Sequence, residues 1–296
     1  MISYGIVAHG GVGSPPDLSD GCQKACEAGF EILKKSGSAL DAVVAAVKTM
    51  EDDGRFNAGR GSVLRLDGKT IEMDASVMDS KGNTGAVAAI RGVRNPVMVA
   101  REVYRSPHAM LAGEGAIRFA RAKGFPYYRR ITEAASLRYK KNIEALKEGK
   151  LPLWKGYPIK DFWNFQTRLE RVIPAACDTV GAVALDRKGM FAVASSTGGA
   201  SAMLLGRVGD TPIIGCGFYA GPECAVASTG IGEEIIKRML AKTVYDKAVS
   251  GMALEKACAG EISRFPKNIP VGVIAIGRSG PGIAANREMA WHSRSK

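Results

Sequence analysis

Three threonines stand beside glycine or an acid where short apolar runs begin or end: Thr179 after Asp178, Thr197 before Gly198-Gly199, and Thr229 before Gly230. A threonine hydroxyl is a poor nucleophile at neutral pH, but a threonine with a free α-amine of pKa about 8 carries its own proton acceptor. Cleavage between Asp178 and Thr179 would create that group, and no histidine would be needed. Clusters of threonine and glycine at strand ends gather hydroxyls and free backbone N–H groups, as stabilisation of an oxyanion requires. Between them, Gly206-Arg207-Val208-Gly209-Asp210 sets a cation and an anion three residues apart in a loop. Arg207 as a fork and Asp210 as an acceptor suit the α-carboxylate and α-amine of an amino acid. The plainer readings of the same residues are a buried strand that happens to start with threonine and a local surface ion pair.

Elements that would position these groups follow from the patterning. Residues 177–186 are small and apolar, as in a strand buried on both faces, and should form a hairpin with 190–195. A strand over 4–8 feeds His9-Gly10-Gly11. Helices fit 17–35 and 38–50, the second with Ser38 and Asp41 as a capping box. Residues 51–60 read as a structured loop. Asp67-Gly68 reads as a hairpin turn between 62–66 and 70–78, with another strand over 85–90. Helical periods follow up to 104 and over 114–123, then a charged helix over 131–147 and a linker over 149–158. Beyond Thr179, a strand over 225–228 precedes Thr229-Gly230, helices fit 233–241, 243–249 and 252–263, and 271–276 with 283–285 make a closing hairpin. Strands and helices in each half without strict β-α-β alternation predict an α+β fold. The expected form is a four-layer αββα sandwich of two stacked, mainly antiparallel sheets in a single domain, residues 1–296.

The formal charge of +12 invites comparison with nucleic-acid binders. Its location argues for something else, since 14 Lys and Arg against 5 Asp and Glu fall within residues 118–171. Aromatic residues interleave there, so stacking on single-stranded bases is an alternative, but a solvated helix and a flexible basic linker over about 129–178 explain the same composition. Nucleic acid is therefore not expected as a partner. The six cysteines form no CxxC pair, which speaks against a zinc site or a disulfide framework. No leader pattern and no apolar run of about eighteen residues is seen, so a cytoplasmic protein without a membrane segment is expected.

The motifs taken together resemble a known family. His9-Gly10-Gly11, Phe56-Asn57-Ala58-Gly59-x-Gly61, Met73-Asp74-Ala75-Ser76-x-Met78-Asp79, Arg94-Asn95-Pro96-Val97, Gly113-Glu114-Gly115-Ala116, Thr179-Val180-Gly181-Ala182-Val183, Ser196-Thr197-Gly198-Gly199, Gly206-Arg207-Val208-Gly209-Asp210 and Thr229-Gly230-x-Gly232-Glu233 occur in order. They look like the plant-type (type III) L-asparaginases, also called isoaspartyl peptidases, which are N-terminal-nucleophile hydrolases. The resemblance spans about residues 4–290 and implies hydrolysis of L-asparagine and of β-aspartyl dipeptides. It implies autoproteolysis into an α subunit, 1–178, and a β subunit, 179–296, with two αβ units forming a dimer. Thr179 would be the nucleophile, Thr197 would tune it, and Thr229 with Gly230 would form the oxyanion hole. Arg207 and Asp210, with Gly232, Asn57 and Gly11, would bind substrate. No cofactor is implied beyond a structural sodium ion, held by backbone carbonyls of Met50, Glu51, Asp53, Phe56, Ala58 and Arg60. Two departures stand out. Asp178 resembles the glycosylasparaginase branch of the same fold, which makes hydrolysis of glycosylasparagine the alternative reading, and Ile231 replaces a more usual polar residue.

Overall fold

The computed structural model describes residues 1–129, 131–133, 135–137, 139, 154, 156–165, 179–200 and 202–296. Along residues 182–185 the side chains alternate small with large, not polar with apolar. Ala182 and Ala184 join one buried cluster while Val183 and Leu185 join another. Residues 191–194 repeat the pattern, with Ala192 and Ala194 on one face and Phe191 and Val193 on the other. Successive strand residues point to opposite faces, so this alternation marks a sheet buried on both sides.

That sheet has seven strands: β1 (Gly5–Val12), β2 (Met73–Asp79), β3 (Thr84–Ile90), β4 (Met110–Ala112), β5 (Val180–Leu185), β6 (Phe191–Thr197) and β11 (Met289–Ser295), in the order β11-β1-β5-β6-β2-β3-β4. Every pairing is antiparallel except β3 with β4. A second, antiparallel sheet holds β7 (Phe218–Ala220), β8 (Cys224–Gly230), β9 (Val271–Gly277) and β10 (Gly280–Ala285), in the order β10-β9-β8-β7. Val7, Val183, Leu185, Phe191 and Val193 pack against Phe218, Ala225, Ala227, Ile274 and Ile276, so the large-residue face of the first sheet meets the second.

Helices cover the alanine face of the first sheet: α1 (Ser19–Lys34), α2 (Ala39–Asp53), α3 (Pro96–Tyr104) and α4 (Gly113–Ala122). Small strand residues there let helices approach closely. At the start of α2 the Ser38 hydroxyl accepts the Asp41 N–H at 3.0 Å and donates to the Asp41 carboxylate at 2.7 Å, the expected cap. Asp186, just past β5, accepts the Ala39 N–H at 3.0 Å. The catalytic-candidate strand and α2 are thereby tied end to end. Gly54, at φ 79°, stops α2 in the left-handed conformation that glycine adopts at little cost. Helices Gly232–Arg238, Leu240–Val249 and Leu254–Ser263 pack with β8 and β9 in a separate cluster. Among the described residues no helix is long and apolar enough to cross a membrane.

Four local expectations are corrected. Residues 62–66 do not form a strand: Asp67-Gly68 makes a turn, with the Arg65 N–H bonded to the Thr70 carbonyl at 2.8 Å, but β2 starts only at Met73 and pairs with β3 and β6. The Arg65–Glu72 ion pair, fully buried on the arginine side, takes the place of a ladder. The helix expected to continue to 241 breaks at Met239, φ 46°, because the N–H groups of Ala241 and Lys242 bond to the carbonyls of Cys216 and Gly215 and start a new helix. Strands β4 and β11 were not expected. β4 is only three residues long and β11 is mostly polar, and each exists through pairing with a strand elsewhere in the sequence, β3 and β1.

His9 on β1 lies opposite Gly181 on β5. A Cβ on Gly181 would sit 2.4 Å from His9 Nε2, so the glycine is a packing requirement. Gly181→Ala is expected to cost about 1–3 kcal/mol, the usual range for overpacking, as measured by denaturant unfolding. An unchanged midpoint would show that β1 and β5 can move apart freely.

Candidate active site

The inter-sheet faces change character at one end. Following β5 back from Val183 by twos gives Gly181 and Thr179, and β6 runs from Val193 to Ser195 and Thr197. On β1, Val7 is followed by His9; on β8, Ala227 by Thr229; on β2, Met78 is preceded by Ser76 and Asp74. The same period-two geometry that builds the apolar core ends in a polar rim between the sheets. Ser76 opens this rim to the loop before β7, donating to the Thr211 carbonyl at 2.7 Å.

One cavity here is lined by Thr179, Thr197, Gly199, Ala200, Arg207, Gly209, Asp210, Thr211 and Gly230. The Thr179 hydroxyl donates to Thr197 Oγ1 at 3.3 Å, and Thr197 Oγ1 accepts the Gly199 N–H at 2.9 Å. Thr229 Oγ1 accepts the Val12 N–H at 3.1 Å, which fixes the oxygen and leaves its proton to be donated. Gly230, at φ 144°, has no room for a side chain, since a Cβ would lie 2.4 Å from the Pro270 carbonyl. The space is about 10 Å³, room for roughly one water, so an amino acid would enter only with movement of the walls.

Arg207 and Asp210 both reach this cavity. Arg207 Nε and a terminal nitrogen donate to the two Glu233 oxygens at 2.9 and 2.7 Å. Asp210 is buried with Oδ2 unpaired among the described residues, and desolvation pushes its pKa up to about 7 against the opposing charge of Arg207. An arriving ammonium group would supply the missing partner and favour the ionised form. Gly232 closes the back of this pair: a Cβ there would meet Asp210 Oδ1 at 2.9 Å and Arg207 at 3.0 Å.

Asn57 lies one shell behind. It is fully buried, donates to the Gly199 carbonyl at 2.8 Å, and accepts the Val63 N–H at 3.0 Å. It holds the Gly198-Gly199 turn and does not border the cavity. Gly11 likewise stands back, with its N–H on His9 Nδ1 at 3.1 Å, next to the Val12 that holds Thr229. Asp178 lies outside the described residues, as does most of the expected linker. Its described portions dock beside the site. Trp154 Nε1 donates to the Ala202 carbonyl at 2.8 Å, Asn164 pairs with both backbone groups of Leu205, and Trp154, Tyr157 and Phe162 wall a cavity of about 270 Å³ with Met203, Leu204, Arg207 and Glu233.

Sequence reasoning gave no side-chain role to three groups found here. His9 is buried neutral, with its pKa pulled down to about 3 by desolvation; the Thr179 backbone lies near it without completing a well-aligned hydrogen bond. Glu233 pairs with Arg207. The Glu51 side chain accepts the Ser196 hydroxyl at 2.6 Å and the Val97 N–H at 3.0 Å; desolvation pushes its pKa up to about 8 against these bonds. His9 and Glu233 fall within quoted motifs and Glu51 within the expected sodium loop, the one signal that could have flagged each.

Comparison with known proteins gives one family and consistent relatives. The family model described as asparaginase matches residues 3–294. A plant-type L-asparaginase of Pyrococcus horikoshii is 42% identical over 295 residues, covering 95% of this chain and 92% of that protein. Isoaspartyl peptidase/L-asparaginases of Rattus norvegicus and Danio rerio are 40% and 38% identical, over 98% and 97% of this chain and 86% and 90% of theirs.

The buried Glu51 carboxyl has a consequence for stability. The unfolded chain releases this proton near 4.5 and the folded chain holds it to about 8, so stability contributed by the protonated form is lost as pH rises through that interval. Urea unfolding at pH 5 and pH 8 should show a smaller loss for Glu51→Gln than for wild type. Equal losses would mean that Glu51 is ionised in the fold.

Proposed function

The chain belongs to the asparaginase family, and we propose that it is a threonine amidohydrolase acting on the side-chain amide of L-asparagine and on the isopeptide bond of β-aspartyl dipeptides. The observation that carries this reading is the convergence of Thr179, Thr197, Arg207 and Asp210 on one cavity, a nucleophile candidate facing a clamp for an α-amino acid. The proposal includes an N-terminal-nucleophile fold in which the two sheets and their helical covers form a four-layer αββα sandwich, scission between Asp178 and Thr179, a dimer of the resulting αβ units, and a cytoplasmic setting.

The chemistry follows from the groups present. Scission gives Thr179 a free α-amine, which takes the hydroxyl proton as Oγ1 attacks the side-chain carbonyl carbon. Charge on the carbonyl oxygen falls to the Thr229 hydroxyl and the Gly230 N–H. As the tetrahedral centre collapses, the proton passes to the departing nitrogen, ammonia or the amine of the second residue leaves, and an ester joins the β-carboxyl carbon to Thr179 Oγ1. Water, deprotonated by the same amine, then hydrolyses that ester and restores the threonine. Throughout, Arg207 holds the α-carboxylate, sharing its fork with Glu233, and Asp210 holds the α-ammonium. Every role is filled by a protein group, so the reaction needs no cofactor. Intact-mass measurement and ammonia release test this together: wild type should resolve into two chains and turn over L-asparagine, and Thr179→Ala should do neither. A single chain with no release from either substrate would refute it.

A sodium ion is proposed as a structural component of the loop after α2. The carbonyls of Gly54 and Phe56 crowd one place, since a Cβ on Gly61 would meet the Phe56 oxygen at 1.9 Å and the Gly54 oxygen at 2.6 Å, and the Glu51 carbonyl lies 2.7 Å from where a Cβ on Gly59, two residues before, would sit. Such an oxygen cradle fits a hard cation, although the Ala58 carbonyl already accepts the Gly61 N–H. Met50, Asp53 and Arg60 would complete the set through their carbonyls. Melting in sodium chloride should exceed melting in choline chloride of equal ionic strength by a few degrees, and Gly61→Ala should erase the difference. Equal melting of wild type in both salts would remove the ion from the account.

A further inference from the structure

Arg65 lies wholly inside the protein, in the segment once expected to be a strand, and its contacts converge on the loop that carries the amino-acid clamp. Its Nε donates to Glu72 Oε2 at 3.2 Å, and one terminal nitrogen donates to the Glu72 carbonyl at 3.4 Å and to the Arg207 carbonyl at 3.1 Å. The same Glu72 Oε2 accepts the Gly206 N–H at 2.7 Å. Asp74, also wholly buried, accepts the Ala89 N–H at 2.7 Å on one oxygen, and its charge faces that of Arg65. Two adjacent handholds result: Gly206 through Glu72 and Arg207 through Arg65. The other terminal nitrogen of Arg65 has no hydrogen-bond partner among the described residues and points at the turn after Thr197, where a Cβ on Gly199 would lie 2.6 Å away.

A buried ion pair is poor evidence of stability, because well-packed apolar residues of similar volume often serve as well or better. What apolar residues cannot do is hydrogen-bond the backbone of a loop. The arrangement makes sense if its product is the position of Arg207 and Asp210. We propose that Arg65, with Glu72, is a positioning residue that fixes the 206–210 loop for recognition of the substrate's α-carboxylate and α-ammonium. This rests on the reading of Arg207 and Asp210 as that clamp. Arg65 touches neither substrate nor nucleophile, so its loss should weaken binding and leave the chemical step and self-cleavage in place.

The test is steady-state hydrolysis of L-asparagine, with titration of L-aspartate, by Arg65→Met, Arg65→Lys and Glu72→Gln alongside wild type. Self-cleavage is checked by intact mass. Arg65→Met should raise KM and the L-aspartate Kd at least tenfold with kcat within about threefold of wild type. Arg65→Lys, which keeps the charge and one donor, should recover part of that loss, and Glu72→Gln should raise KM several-fold. A purely structural role would lower the folded fraction and the apparent kcat with KM unchanged, and that result overturns the proposal. So does failure of all three variants to fold. Turnover by wild type with an unchanged KM in Arg65→Met would sink the positioning role alone. Wild type that neither hydrolyses L-asparagine nor binds L-aspartate would sink both this role and the amidohydrolase reading.

Discussion

The face-to-face contact of the two sheets is the constraint on which the rest depends. Val7, Val183, Val193 and Phe191 must meet Ala225, Ala227, Ile274 and Ile276, and this fixes which way every second residue points on strands that are far apart in sequence. Once the apolar part of that layer is in register, Thr179, Thr197, Thr229, His9 and Asp74 have no choice about where they face. The site is the continuation of the core by other residue types. A one-residue slip of β5 against β6 would exchange Val183 for an alanine and turn Thr179 towards the helices, so the packing that stabilises the sheets also guards the placement of the hydroxyls.

That coupling explains what could be read in advance. Thr179, Thr197 and Thr229 were legible because each sits at a junction between an apolar run and glycine or an acid, and the Arg207–Asp210 pair because its charges are close in sequence. Helix α2 was legible through Ser38 and Asp41, a cap that needs nothing beyond its own turn. Arg65 was read as a strand residue because alternation in Val-Leu-Arg-Leu mimics one, and nothing nearby reveals that Glu72, Arg207 and Gly199 would surround it. Strand β11, with Trp291, His292 and Arg294, looks polar by itself and is held by β1, almost the whole chain away. Tertiary partners decided these cases, and local pattern carries no record of them.

The wall behind the clamp is expensive by the measure of electrostatics. Arg65, Asp74, Asp210 and Glu51 are all buried, and Glu51, Asp74 and Asp210 each keep one oxygen without a hydrogen-bond partner among the described residues. Desolvation holds Asp210 near neutrality and Glu51 above it. A protein tuned for stability alone would fill this space with aliphatic side chains. Leaving an Asp210 oxygen unsatisfied at the Thr179 cavity instead stores polarity where a charged amino acid would use it.

The strand order of the larger sheet has one more consequence. β1, β2, β3 and β4 come from before residue 178, and β5, β6 and β11 from after it, yet the order is β11-β1-β5-β6-β2-β3-β4. The two segments meet along three hydrogen-bonded seams, interleaved like fingers of clasped hands. A chain opened at that point would therefore behave as one body: dilution could not part the pieces, and neither piece made separately would own a complete sheet to fold around. Continuity of the polypeptide would matter for building the molecule and for nothing afterwards.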